Sequence, residues 1–339
     1  MEDELIMMMS RCSINIAKTL RSGSLGVLFI VIALLLAVSF SSSHAQTAPR
    51  PPEQPAAGPG GSDYRYAGVS KTLYGEGATS YWLYEPRDPT PVSAPVVIFL
   101  HGWSGVNPEV YEAWIHHLVR KHRIVVYPVY QQVGQTPASQ TMRNAIIALQ
   151  AAFTELTRPG HVQPETDKVA VVGHSFGGMM AANYAVVARD NNLPAPKAVM
   201  SVEPGGPMFL VEDYSQIAAG TLMLCILGDR DFIVPDQFAT MIFNRSTGIA
   251  QADKDLILMR SDGHGEPDLI ADHFAPLSRL NGSGIDALDW YGLWKWMDAL
   301  SDAAFYGLNR ESALGGTPEQ QFMGLWSDGQ PVAAPEITD

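Results

Sequence analysis

The chain has 339 residues, of which 46% are hydrophobic and 17% charged, enough apolar material for one large buried core. Its formal net charge of −13 argues against nucleic acid or an anionic membrane as a partner, since both are negative.

At the N-terminal end, Lys18 and Arg21 precede an apolar run at residues 25–38. At about 14 residues the run is shorter than the ~20 that a membrane span needs. Ser43 and Ala45 then offer small residues for cleavage before Gln46. Residues 1–45 therefore read as a signal peptide, the alternative being an uncleaved anchor. The acidic start at Glu2, Asp3 and Glu4 is unusual in a signal peptide and raises Met7, Met8 or Met9 as a start site. Cleavage implies an exported protein, periplasmic or secreted, with no membrane span in its mature form. It also removes Cys12 and leaves Cys225 as a lone thiol within an apolar run, the pattern of a buried structural cysteine. Residues 46–62 are rich in Pro, Gly and Ala without apolar periodicity and read as a flexible linker. Residues 63–339 then read as one domain.

Within that domain strands and helices alternate. Residues 81–84 form a short aromatic strand. Residues 96–100 are continuously apolar, as in a strand buried on both faces. Asn107, Pro108 and Glu109 mark a helix start, followed by Val110, Trp114 and Leu118 at helical spacing. A strand at 124–127 precedes an amphipathic helix through Met142, Ile146, Leu149, Phe153 and Leu156. A strand at 168–172 leads into a helix at 176–188. Further strands fall at 198–202, 221–227 and 256–259, the last of the sheet, and a long helix at 286–305 carries Trp290, Trp294 and Trp296. This order predicts a mainly parallel sheet with helices on both faces and its chemistry at the C-terminal strand ends.

The segment Gly173-His174-Ser175-Phe176-Gly177-Gly178 fits G-x-S-x-G between a buried strand and a helix. A sharp turn there lifts the serine hydroxyl above the sheet and needs glycines two before and two after it. It also sets a helix N-terminus, which favours developing negative charge, beneath the serine. These residues resemble the nucleophile elbow of the α/β-hydrolase superfamily, and the resemblance runs from about Tyr64 to Trp296. Within the superfamily the chain looks most like cap-less esterases related to dienelactone hydrolases, cutinase-like polyesterases and chlorophyllases.

The resemblance implies a role for three further segments. His101-Gly102-Trp103 resembles the oxyanion loop, with the backbone N–H groups of Trp103 and Phe176 as donors and His101 orienting the loop. Residues 228–235 resemble the G-x-x-D-x-x-V-P acid loop, which makes Asp231 the triad acid; Asp229 is the runner-up and reads rather as a loop-stabilising residue that bonds local N–H groups. Glu203, at the end of the strand 198–202, is the alternative acid. The superfamily order of Ser, acid and His leaves His264 and His273 for the base. His264, in a turn just after the last predicted strand, is the preferred one, and His273 reads as a helix or loop residue. His116, His117 and His122 read as solvated or packed helix residues. No His-Glu-x-x-His pattern supports a zinc hydrolase, and no metal or cofactor is expected.

About 18 residues separate the strands at 198–202 and 221–227, too few for a cap domain, so the site is expected to be open. The expected function is hydrolysis of small-molecule or polymeric carboxylic esters through Ser175, His264 and Asp231. Amide hydrolysis by the same triad and a non-catalytic binding role are the alternatives.

Overall fold

A computed structural model describes residues 48–278 and 284–338. Residues 1–47, which hold the expected signal peptide and Cys12, lie outside the described residues. The elements in order are β1 (Gly68–Tyr74), β2 (Tyr81–Arg87), β3 (Ser93–Leu100), α1 (Glu112–Arg120), β4 (Ile124–Pro128), α2 (Thr141–Leu156), β5 (Gln163–His174) and α3 (Phe176–Val187). They continue with β6 (Ala198–Val202), β7 (Leu222–Gly228), α4 (Gln237–Arg245), β8 (Lys254–Met259), α5 (Trp294–Tyr306), α6 (Pro318–Gln321) and β9 (Glu336–Thr338).

The strands form one sheet in the order β1-β2-β4-β3-β5-β6-β7-β8-β9. Neighbours from β4 through β8 are parallel, while β1 and β2 at one edge and β9 at the other are antiparallel. Strand pleating sends alternate side chains to opposite faces. In β3, Val96, Ile98 and Leu100 enter one core with α2, α3 and α4. Val97 and Phe99 enter a second core with α1 and α5. Both faces are thus dry, which is why the predicted strands read as unbroken apolar runs. This is the α/β-hydrolase architecture, and the connection from Val202 to Leu222 carries only two short 3-10 turns, with no large cap.

Several expectations change. Strand β1 is half-exposed at the sheet edge and its sequence has no strong alternation, so the sequence did not single it out. The sheet does not end at β8, because the chain returns to pair Ile337 with Ile257. The helix expected over 286–305 opens with a π-helical stretch at Leu288–Leu293 before α5. Trp294 and Trp296 are buried in the second core, and Trp296 Nε1 donates to the Gln320 carbonyl at 3.1 Å. Cys225 is buried in β7, where desolvation pushes its thiol up to about 12.

Residues 49–62 have no regular secondary structure, yet they are not a free linker. The Pro49 carbonyl accepts from Glu266 N–H at 2.9 Å, and Arg50 and Ser327 exchange hydrogen bonds at 2.9 and 3.0 Å. Pro52 is buried, and the Gly60 N–H donates to buried Asp298 Oδ2 at 2.9 Å. That carboxylate also bonds His117 Nε2 at 2.8 Å. The prolines restrict φ in the unfolded chain and lower the entropic cost of ordering this strap. The compact unit accordingly begins at Pro49 rather than at residue 63.

Candidate active site

The elbow is built at the end of β5. Ser175 has φ 58° and ψ −123°, a conformation that an L-residue adopts only when its surroundings impose it. Its backbone is held from β6, since Ser175 N–H donates to the Val202 carbonyl at 2.9 Å and its carbonyl accepts from Gly205 N–H at 3.1 Å. The flanking glycines are required by close approach. A Cβ at Gly173 would lie 1.9 Å from the Gly177 carbonyl oxygen, and one at Gly177 would lie 2.1 Å from that of Leu100.

The histidine that meets Ser175 is His273. Its Nε2 lies 2.9 Å from Ser175 Oγ and its Nδ1 2.8 Å from Asp231 Oδ2. Asp231 Oδ1 accepts from the N–H groups of Ile233 and Val234 at 2.8 and 3.1 Å. Burial alone would raise the Asp231 pKa. The His273 bond and those two N–H groups outweigh burial and hold this carboxyl below the usual carboxylate range.

His264, the preferred base from the sequence, is elsewhere. Its Nε2 bonds Asp328 Oδ2 at 2.8 Å and its ring meets the edge of Trp326, both from the C-terminal segment. The physical reason lies in the chain after β8. Asp262 and Leu269 pair through two 2.8 Å backbone hydrogen bonds, closing a loop that carries His264 away. Past that closure, Ala271 is fastened back at the strand ends: its carbonyl accepts from Arg230 N–H at 3.0 Å and its N–H donates to Ser261 Oγ at 2.9 Å. His273 follows two residues later and so reaches Ser175. The only signal in the sequence was the apolar return at Leu269 and Ala271 just before Asp272-His273-Phe274.

Asp229 stabilises the loop, accepting from Ser261 N–H at 3.0 Å and Ser261 Oγ at 2.5 Å. Glu203, the alternative acid, is fully buried, with Oε2 3.8 Å from His273 Nδ1, so Asp231 holds the shorter contact. The turn after β3 packs against the elbow, where a Cβ at Gly102 would lie 3.2 Å from Ser175 Cβ. His101 is buried and stacks on Tyr130 with centroids 4.0 Å apart, and Tyr130 donates to the His101 carbonyl. Desolvation lowers the His101 pKa to about 4, which keeps the ring neutral and structural. Gly102 N–H donates to Tyr111 Oη at 3.0 Å and Ser104 N–H to Gln131 Oε1 at 2.9 Å. The intervening Trp103 N–H has no acceptor among the described residues. Phe176 opens α3, so its N–H has none within the helix. Trp103 and Phe176 also meet edge to face at 5.2 Å.

Beside Ser175 is a mostly apolar pocket of about 320 Å³, bordered by Trp103, Phe176, Pro207 and Val234. Among the described residues, His174, Glu203 and His273 form a group with ligand atoms close enough for a cation. A cation there would compete with Asp231 for His273 Nδ1. No helix of the described residues is long and apolar enough to cross a membrane.

The model of a family described by the alpha/beta hydrolase fold matches residues 97–237, which include Ser175 and Asp231. With the sheet topology, this match gives the chain the α/β-hydrolase fold and supports a member of that superfamily, with hydrolytic activity. No curated protein matches the sequence.

Proposed function

We propose that the protein is a serine hydrolase of carboxylic esters in which Ser175 is the nucleophile, His273 the base and Asp231 the acid. The observation that carries this reading is the pair of short contacts from one imidazole, 2.9 Å to Ser175 Oγ and 2.8 Å to Asp231. Asp231, held as a carboxylate, fixes His273 with its proton on Nδ1 and leaves Nε2 free to accept the serine proton. The serine oxygen attacks the ester carbonyl, and the uncommitted N–H of Trp103 and that of Phe176 hold the oxyanion. The imidazolium then protonates the departing alcohol. Water, deprotonated by the same imidazole, attacks the acyl-enzyme and releases the acid.

The rim supports an apolar substrate. Trp103, 52% exposed, borders the uncapped pocket, and Phe232 and Ile233, 90% and 63% exposed, directly precede Val234, which borders it too. It fits an ester with a bulky apolar portion, free or as part of a polymer, in line with the cap-less esterase resemblance. Export with loss of residues 1–45 is likewise our proposal, resting on the basic flank, the short apolar run and the small residues before Gln46.

The test is hydrolysis of p-nitrophenyl esters of graded acyl length, alongside matched anilides, by wild type, Ser175→Ala and Asp231→Asn. Ester turnover abolished by Ser175→Ala supports the proposal. Preferential turnover of the anilides would replace it with amide hydrolysis. Failure of the wild type to cleave either, or to react with an organophosphonate, would replace it with a binding role.

A further inference from the structure

Behind the triad runs a string of buried polar groups that the mechanism above does not use. It starts at the oxyanion loop, where Gly102 N–H, an unambiguous donor, bonds Tyr111 Oη at 3.0 Å. Tyr111 Oη lies 2.9 Å from His174 Nδ1. With its oxygen accepting from Gly102, the phenol places its own proton on that contact, which makes Nδ1 the acceptor and puts the His174 proton on Nε2. His174 Nε2 faces Glu203 Oε2 at 3.3 Å and the His273 backbone. Glu203 Oε2 is in turn 3.8 Å from His273 Nδ1, and the two imidazole rings are 4.7 Å apart.

Three features mark the string as more than packing. His174 Nε2 and both Glu203 oxygens are buried without an aligned hydrogen bond among the described residues. A native fold seldom tolerates that cost without a use. Glu203 also sits at φ 44°, a strained backbone for a side chain of its size, held by a 2.9 Å bond from its N–H to the Ile226 carbonyl. Finally, the groups are arranged to stay neutral. Desolvation, then the His273 charge, lower the His174 pKa to about 3. Desolvation, then the charges of Asp231 and Asp272, push the Glu203 carboxyl well above the usual carboxylate range. A neutral carboxyl beside Asp231 adds no second charge to the base, but its carbonyl oxygen still offers an acceptor to His174.

We infer that Glu203 is a positioning residue which, through His174 and Tyr111, ties the imidazole of His273 to the oxyanion loop, so that base and oxyanion donors are held in register by one buried string. The inference rests on the triad reading above. It assigns Glu203 no proton transfer and no contact with substrate.

The experiment compares Glu203→Gln, Glu203→Met, Tyr111→Phe and the double variant Glu203→Met/Tyr111→Phe, with Ser175→Ala and His273→Ala as references. kcat and KM are measured on one ester, and thermal unfolding checks that each variant is folded. The Gln variant keeps a carbonyl acceptor for His174 and loses less than about threefold in kcat. The Met and Phe variants each lose about 10- to 30-fold in kcat with KM within about twofold, and the double variant loses little more than the worse single, as coupled groups do. Losses that multiply in the double variant, or folded Met and Phe variants with wild-type kcat, overturn the string. A Gln variant as damaged as the Met variant also overturns it, since it would make the carboxylate charge the active feature. If Ser175→Ala and His273→Ala remain active, the triad reading itself fails and the inference falls with it. If they are dead while Glu203→Met and Tyr111→Phe are normal, only the inference falls.

Discussion

Replacing His273 by alanine removes the one imidazole that spans Ser175 and Asp231, with contacts of 2.9 and 2.8 Å. No other histidine is hydrogen-bonded to Ser175 Oγ among the described residues. The serine would then have to lose its proton to water. Loss of the base from a Ser–His pair costs on the order of 10⁴- to 10⁶-fold in kcat, or about 5–8 kcal/mol of transition-state stabilisation. His264→Ala is the matched control. It removes an exposed contact to Asp328 and an edge contact to Trp326, neither of which touches the pocket, and exposed pairs of this kind contribute little. Its kcat should stay within about threefold of wild type, as surface substitutions usually do. The assay is steady-state ester hydrolysis by both variants, with organophosphonate labelling of Ser175 as a second readout. A dead His264→Ala beside an active His273→Ala would refute the assignment and restore the order read from the sequence.

Gly177→Ala sets a methyl group 2.1 Å from the Leu100 carbonyl oxygen, so the elbow must move; ester hydrolysis should be nearly abolished and the melting temperature lowered. Asp298→Ala unpairs buried His117 and the Gly60 N–H together and should cost about 3–5 kcal/mol in chemical denaturation. In the wild type, burial opposes ionisation of Asp298, but His117 and the Gly60 N–H hold its pKa below the ordinary value. Its contribution is therefore present above the unfolded carboxyl pKa of about 4 and lost as pH falls through the lower folded value. Asp298→Ala should flatten that acid limb of stability, and an unchanged limb would refute the pairing. Asp231, held below the usual carboxylate range, should add no step of its own to kcat/KM above about pH 4.

The sheet and the elbow were legible because their signals are local. Val96 to Leu100 is apolar at every position since both faces of β3 are covered, and Gly173 and Gly177 are there because neighbouring carbonyls leave no room for a side chain. Ser175 and Asp231 were reached the same way, each lying within a few residues of a strand end.

The base was not. The spacing from Met259 pointed to His264, and only the pairing of Asp262 with Leu269 excludes that loop from the site and delivers His273 instead. The strap from Pro49 was equally hidden, because its order comes from Asp298, Ser327 and Glu266, more than 200 residues away in the chain. Glu203 was visible as a rival acid, but its burial beside His174 exists only once β5, β6 and the loop bearing His273 lie side by side. By itself the sequence determined most of the central strands and helices, the mainly parallel sheet and the elbow at Ser175, because strand periodicity and turn sterics act over a few residues. Tertiary structure alone decided which histidine lies against Ser175, because that choice depends on contacts between loops far apart in the chain.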